Sequence, residues 1–271
     1  KMKHRFDLTG ELVVLTGGTG VIGSAFSRAI LEAGARIVLW SRGKTVPLEE
    51  AARKLSEETG AGDRIYTYEV DVSDKHSVEQ GFAAVVKEAG TPTVLINGAG
   101  GNRGKSSFVD ADLSVFEEVI KLNLLGGLMI PTQVFARSWI EQGVHGSVIN
   151  VASAASYIPL SGVWAYDAAK SAVMNLTMAA AKEFAPHGIR VNGIAPGFFI
   201  GRQNRDLLYS DYSHKVLSPR GQSVIDHTPY KRFGEMEDLY GTVVFLASRE
   251  ASGFVTGVTI PVDGGYLIDN I

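Results

Sequence analysis

Short apolar, β-branched runs alternate with longer amphipathic stretches along almost the whole chain. The runs are Leu12–Thr16, Arg36–Trp40, Arg64–Val70, Thr93–Asn97, Gly146–Val151, Arg190–Ile194 and Val258–Val262. Most are apolar at both alternating positions. A strand with one wet face alternates apolar with polar residues, whereas a strand covered on both faces does not. The runs therefore predict strands of a parallel sheet buried between helices. Helical spacing fills the gaps, at about Ile22–Ala33, Leu48–Glu58, Ser77–Glu88, Leu113–Phe135, Ala165–Phe184 and Met236–Ala247. This order predicts one doubly wound α/β domain over residues 1–271, a seven-stranded, mostly parallel sheet with helices on both faces. One stretch, about 198–233, breaks the rhythm. It carries Arg202, Arg205, Arg220, Lys231 and Arg232 between glycines and prolines. A long insert of this kind inside a compact domain is expected to act as a lid.

Bulk properties remove several classes of function. A formal net charge of -3 over 271 residues gives no basis for a general nucleic-acid or membrane-surface partner. The chain has no cysteine, so disulfides, zinc–thiolate sites and thiol nucleophiles are excluded, and no metal site is expected. No apolar run reaches the length of a bilayer span. No signal-peptide pattern opens the chain, so a cytoplasmic location is expected.

The first run feeds directly into Thr16-Gly17-Gly18-Thr19-Gly20-Val21-Ile22-Gly23 and then a helix. Glycines at such a junction let the chain turn tightly and let backbone approach a pyrophosphate. The helix start behind them offers free N–H groups and the positive end of a dipole. Gly17, Thr19, Gly20, Val21, Ile22 and Gly23 are therefore candidates for a dinucleotide cradle, and the domain reads as Rossmann-type. The second run ends in Ser41-Arg42, where an NAD-binding site usually has a carboxylate for the ribose 2′-hydroxyl. Ser41 and Arg42 can instead hold a 2′-phosphate, which favours NADP(H) and leaves NAD(H) open.

The fifth run leads to Ala152-Ser153, and thirteen residues later comes Tyr166-Asp167-Ala168-Ala169-Lys170. Tyr166 and Lys170, four apart, share one helix face. A free phenol has a pKa of about 10, too high for an efficient base at neutral pH. A neighbouring ammonium favours the phenolate. A drop of roughly three pKa values corresponds to about 4 kcal/mol. Tyr166 would then pass a proton to or from a carbonyl oxygen, with Ser153 bonded to the same oxygen.

Taken in order, Thr16–Gly23, Asp71-Val72, Asn97-Gly98-Ala99-Gly100, Asn123, Ser153, Tyr166, Lys170, Pro196-Gly197 and Val262-Asp263-Gly264-Gly265 resemble the motifs of the short-chain dehydrogenase/reductases, over essentially the whole length. The resemblance implies a nicotinamide cofactor that carries the redox chemistry, and a catalytic set of Asn123, Ser153, Tyr166 and Lys170. It implies that Asp71 and Val72 contact adenine and that Asn97 and Ala99 line the cofactor. It places Ile194, Pro196, Gly197 and Phe199 at the nicotinamide end, beside Tyr166 and Lys170. Asn123 would hold a water that connects Lys170 to solvent. It also implies a homotetramer built on the helices at about Leu113–Phe135 and Ala165–Phe184 and on the C-terminal region. Three positions depart from the family pattern: Val21 and Gly201 stand where glycine and threonine are usual, and Gly98 replaces the second Asn of the fourth-strand motif.

The positions expected to face substrate read Gly101-Asn102-Arg103, Ser156-Tyr157-Ile158 and Phe198–Arg205. Amide and guanidinium donors dominate over a continuous apolar wall, which suits a polyhydroxylated acid. The strings Ile96–Asn102, Leu122–Gly126, Ala195–Phe199 and Gln203-Asn204-Arg205 resemble the sugar-acid branch of the family, described as D-mannonate oxidoreductase or fructuronate reductase. The reading is thus hydride transfer to a sugar acid, D-fructuronate with D-mannonate. The alternatives are a gluconate 5-dehydrogenase-like or other keto-sugar or polyol reductase, a 3-oxoacyl-carrier reductase, and a non-catalytic dinucleotide-binding protein.

Overall fold

The apolar runs become β1 (Leu12–Thr16), β2 (Arg36–Ser41), β3 (Ile65–Glu69), β4 (Val94–Asn97), β5 (Ser147–Val151), β6 (Arg190–Pro196) and β7 (Thr259–Val262) in a computed structural model that describes residues 2–201, 205–211 and 216–269. They form one seven-stranded sheet in the order β3-β2-β1-β4-β5-β6-β7, and every neighbouring pair is parallel. The expected doubly wound sheet is therefore wholly parallel among the described residues.

The helices are α1 (Met2–Arg5), α2 (Val21–Glu32), α3 (Leu48–Thr59), α4 (Lys75–Glu88), α5 (Leu113–Ile120), α6 (Ile130–Gln142), α7 (Trp164–Phe184), α8 (Arg205–Leu208), α9 (Pro219–Asp226), α10 (Tyr240–Ala247) and α11 (Arg249–Ser252). Strand alternation sends neighbouring residues to opposite layers. Val13 and Leu15 join a core with Phe26 and Ile30 of α2 and Val243 and Leu246 of α10. Leu12 and Val14 join another with Val78 and Val85 of α4 and Phe135 and Trp139 of α6. Both layers are apolar, which is why the runs lack polar alternation.

Two expectations need correcting. Helix α4 starts at Lys75, earlier than the apolar pattern suggests, because Asp74 caps it by accepting from the His76 N–H at 2.9 Å. The single helix expected over Leu113–Phe135 runs on to Gln142, and its middle, Lys121–Met129, is wound as a π-helix. The stretch 198–233, expected to act as a lid, is partly helical among its described residues. It contains α8 and α9, with Ser218 capping α9 through the Gly221 N–H at 3.0 Å. The two helices meet closely, since a Cβ on Gly221 would lie 2.1 Å from the Leu208 carbonyl oxygen. Arg202, Gln203 and Asn204 lie outside the described residues. Among the described residues, no helix is long and apolar enough to cross a membrane.

Candidate active site

The strand order reverses between β1 and β4, and at such a switch point the loops leaving the carboxyl ends separate to open a crevice. The Gly17–Gly20 turn leaves β1 here. Gly17 has φ +69°, and a Cβ on it would lie 2.8 Å from the Gly98 carbonyl oxygen. Gly23 is tighter still, with its Cβ position 2.4 Å from the Gly17 carbonyl oxygen. Glycine at both positions lets α2 and the β4 loop close on the turn. The Thr16 hydroxyl draws them together by accepting from the N–H groups of Gly98 and Ala99, both at 3.1 Å. Sequence reading gave the Thr16 hydroxyl no role; a hydroxyl at the last residue of an otherwise apolar strand was the available signal.

Gly20 stands at the N-cap of α2 without a side-chain cap bond, and the first turn holds no acidic residue. The N–H groups of Val21, Ile22 and Gly23 thus face the crevice end of a helix dipole with no carboxylate to repel an anion. At the end of β2, Ser41 shares a hydrogen bond with Thr19, 3.0 Å between oxygens, and accepts from Gly43 N–H at 3.3 Å. Arg42 beside it is exposed. An uncapped helix start, a glycine turn and a hydroxyl-plus-guanidinium corner fit a nicotinamide dinucleotide. Asp71 shapes the next turn, its carboxylate accepting from Ser73 N–H at 2.9 Å, and Val72 is buried beside it.

Tyr166 and Lys170 lie in the first two turns of α7, over the end of β5. Lys170 is 5% exposed, donates from Nζ to the Val151 carbonyl at 2.7 Å, and holds Nζ 5.7 Å from the Tyr166 ring centre. Burial pushes its pKa down to about 8. Tyr166 is pushed the other way. Burial raises its pKa, a hydrogen bond with Ser153 pulls it down, and the adjacent Asp167 carboxylate adds to the rise. The sequence expectation of a phenol lowered by Lys170 is thus not the balance set by the protein groups, because desolvation of the phenolate outweighs the help available to it.

Ser153 caps the short turn Ala154–Ser156, and its oxygen accepts from the Ala155 N–H at 3.1 Å. With that lone pair engaged, its single O–H is left to donate to one oxygen, that of Tyr166 or one bound beside it. Asn123 sits inside the π-helix. Its Nδ2 donates to Gly101 O at 2.7 Å and Val119 O at 2.9 Å, and its Oδ1 accepts from Gly101 N–H at 3.0 Å. A Cβ on Gly100 would lie 2.7 Å from Asn123 Oδ1 and 3.4 Å from Lys170 Nζ, so Asn123 and Lys170 close on the same glycine.

Other expected site residues point elsewhere. Asn97 is 1% exposed and donates to Thr132 Oγ1 at 3.0 Å and Asn150 Oδ1 at 2.9 Å; its side chain belongs to the core, and only the turn after it reaches the crevice. Phe199 is buried in the core cluster that also holds Ile194. Pro196 ends β6 at the same end of the sheet as Ser153, and a Cβ on Gly197, just after it, would lie 2.7 Å from the Asp263 side chain. Asn102 donates to the Gly104 carbonyl at 3.0 Å, and Arg103 pairs with Glu118 at 3.3 Å on the exposed surface. The Tyr157 hydroxyl donates to the Thr259 carbonyl at 2.8 Å.

A family model described as enoyl-(acyl carrier protein) reductase matches residues 18–267. An uncharacterized oxidoreductase of Bacillus subtilis, UxuB, is 37% identical over 275 residues, 96% of each chain. A solved structure from Haemophilus influenza, assigned provisionally as a D-mannonate oxidoreductase with bound NAD, is 32% identical with a TM-score of 0.88, covering 100% of this chain and 99% of that one. The gluconate 5-dehydrogenase of Burkholderia cenocepacia, in complex with NADP and tartrate, is 31% identical with a TM-score of 0.87, covering 98% of each chain.

Proposed function

We infer the reaction from one premise: the chain belongs to the short-chain dehydrogenase/reductase family and is a nicotinamide-dependent oxidoreductase. We propose that it reduces the keto group of a sugar acid, D-fructuronate to D-mannonate, and runs the same step in reverse. The observation that carries the chemistry is the meeting of Ser153, Tyr166 and Lys170 at the carboxyl end of β5, beside the glycine cradle of β1.

The cofactor, when bound, supplies or accepts the hydride. Tyr166 gives its phenolic proton to the carbonyl oxygen of the substrate, or takes it from the alcohol in the other direction. A phenol held above its ordinary range is protonated at neutral pH and is ready as an acid. Ser153 donates to the same oxygen and fixes its place. Lys170 keeps an ammonium next to the phenolate that forms. Asn123 holds the Gly100–Gly101 turn against Lys170, the place where a water would link that ammonium to solvent.

The sugar-acid assignment rests on the residue strings around Asn97, Asn123, Pro196 and Gln203 and on the provisional name of the Haemophilus structure. A 5-keto-gluconate reductase is the second reading, favoured by the likeness to the Burkholderia gluconate 5-dehydrogenase. Initial rates of NADPH and NADH oxidation against D-fructuronate, 5-keto-gluconate and a generic keto-ester separate them. Turnover with D-fructuronate above the others is expected; turnover with 5-keto-gluconate instead transfers the assignment to the second reading.

NADP(H) is the favoured cofactor because Arg42 is exposed next to the Thr19–Ser41 pair, and β2 itself ends in Ser41-Arg42 rather than in a carboxylate. Arg42→Asp should move the ratio of kcat/KM for NADPH over NADH toward NADH by about 10- to 100-fold, the worth of one charge-assisted hydrogen bond. An unchanged ratio removes Arg42 from cofactor selection. The same reading includes a homotetramer assembled on α5–α6 and α7, where Leu125 and Met178 are exposed.

A further inference from the structure

Ser156 is 6% exposed, although it lies in the segment expected to face substrate. A serine hydroxyl has one proton to give and lone pairs to receive. The Ser156 proton goes to the backbone carbonyl of Lys170, with Oγ 2.7 Å from that oxygen. The same Oγ accepts the backbone N–H of Ser153 at 3.3 Å. The Ser156 N–H in turn donates to the Ser153 carbonyl at 2.9 Å. One buried hydroxyl therefore joins the main chains of two residues assigned to the reaction, and its only proton is turned inward.

The Lys170 carbonyl does not need this bond. It lies inside α7, where helix geometry already aims the N–H four residues on at it. The bond from Ser156 thus adds a main-chain tie between the loop after β5 and the α7 helix, beside the side-chain ties of Lys170 to the Val151 carbonyl and of the Leu160 N–H to Asp167. Both ends of the tie matter to the same few ångströms. Ser153 carries the hydroxyl that bonds the Tyr166 oxygen, and Lys170 carries the ammonium that lies 5.7 Å from the Tyr166 ring centre. A shift of α7 along its axis moves Tyr166 and Lys170 together and leaves Ser153 behind.

We propose that Ser156 is a positioning residue for the reaction, whose hydroxyl locks the loop of Ser153 to the helix of Tyr166 and Lys170 and so sets the spacing of the three groups around the reacting oxygen. The proposal rests on the functional reading above. It makes Ser156 distinct from a substrate-binding serine, whose loss would appear in the KM for the carbonyl compound, and from a merely structural one, whose loss would weaken cofactor binding and stability together. Misplacement of aligned groups by about an ångström costs turnover, up to about 100-fold.

The test is steady-state kinetics of Ser156→Ala in parallel with Tyr166→Phe, with cofactor affinity measured separately by quenching of protein fluorescence on titration with NADPH. Ser156→Ala is expected to lose about 10- to 100-fold in kcat while KM for the carbonyl substrate and Kd for NADPH stay within about 3-fold of the parent. A kcat within about 2-fold of the parent overturns the proposal, as does a loss of kcat matched by an equal weakening of NADPH binding. If Ser156→Ala does not fold, Ser156→Cys, which keeps the size of the side chain with a weaker donor, is held to the same split. Tyr166→Phe keeps the two readings apart. If it retains turnover, the functional reading itself fails; if it is inactive while Ser156→Ala is normal, only the positioning role fails.

Discussion

Tyr166→Phe is expected to lower kcat by about 10²- to 10⁴-fold, the usual contribution of a positioned acid or base. Affinity for the nicotinamide cofactor should remain near that of the parent. The substitution removes one oxygen and keeps the ring, so the packing of the first turn of α7 is preserved. What disappears is the phenol oxygen hydrogen-bonded to Ser153 and the proton it carries. The glycine cradle, the uncapped start of α2 and the Ser41–Arg42 corner lie on other elements and stay intact. Stopped-flow or steady-state absorbance of the reduced nicotinamide gives the rate, and fluorescence titration gives the binding constant. A rate close to the parent removes Tyr166 as the proton-transfer group. A lost rate accompanied by lost cofactor binding shows instead that the variant has disturbed the crevice.

Much of this arrangement was legible in the sequence, and the rest was hidden for identifiable physical reasons. The strands were legible because a sheet covered on both faces needs apolar residues at consecutive positions, as in Leu12–Leu15. The glycine turn after β1 and the closeness of Tyr166 and Lys170 on α7 were legible because both depend on fixed local spacing. Asn97 was misdirected by its motif. It follows Leu95 by two residues, and Leu95 faces the α4–α6 layer, so strand alternation sends Asn97 to that layer as well, where Thr132 and Asn150 receive it. The π-winding of Lys121–Met129 had no readable period. It depends on tertiary fit, since Cβ atoms on Gly126 and Gly127 would lie 2.9 Å from Ser73 Oγ and 2.7 Å from the Ala99 carbonyl oxygen. The net upward push on Tyr166 depends on how much water the fold excludes, which spacing does not encode.

Lys170→Met should make the cofactor-free protein more stable at neutral pH while lowering kcat by about 10²- to 10³-fold, as loss of a preorganised charge does. An ammonium at a site 5% exposed is held at a loss, because its pKa falls from an ordinary 10.5 to about 8 through burial alone. That fall corresponds to about 3 kcal/mol favouring the unfolded chain, where the lysine titrates normally. At pH 7 both states carry the proton and the full loss is present. Between about pH 8 and 10.5 the folded protein has released the proton and the unfolded chain has not, so this contribution makes stability rise with pH across that window. Methionine fills a similar volume without a charge and erases the slope. Losing the bond to the Val151 carbonyl offsets about 1 kcal/mol, leaving a net gain of about 2 kcal/mol at pH 7 that shrinks toward pH 10.5. Urea unfolding of both proteins at pH 7 and at pH 10 reads the difference directly. A variant less stable than the parent at pH 7, with the same pH slope, means that the folded protein solvates this ammonium well. In that case the depressed pKa has another source, and Lys170 is held in place by its structure rather than tolerated for its charge. A more stable and inactive variant identifies the buried ammonium as a feature that the fold carries against its own stability, for the phenolate that forms beside it.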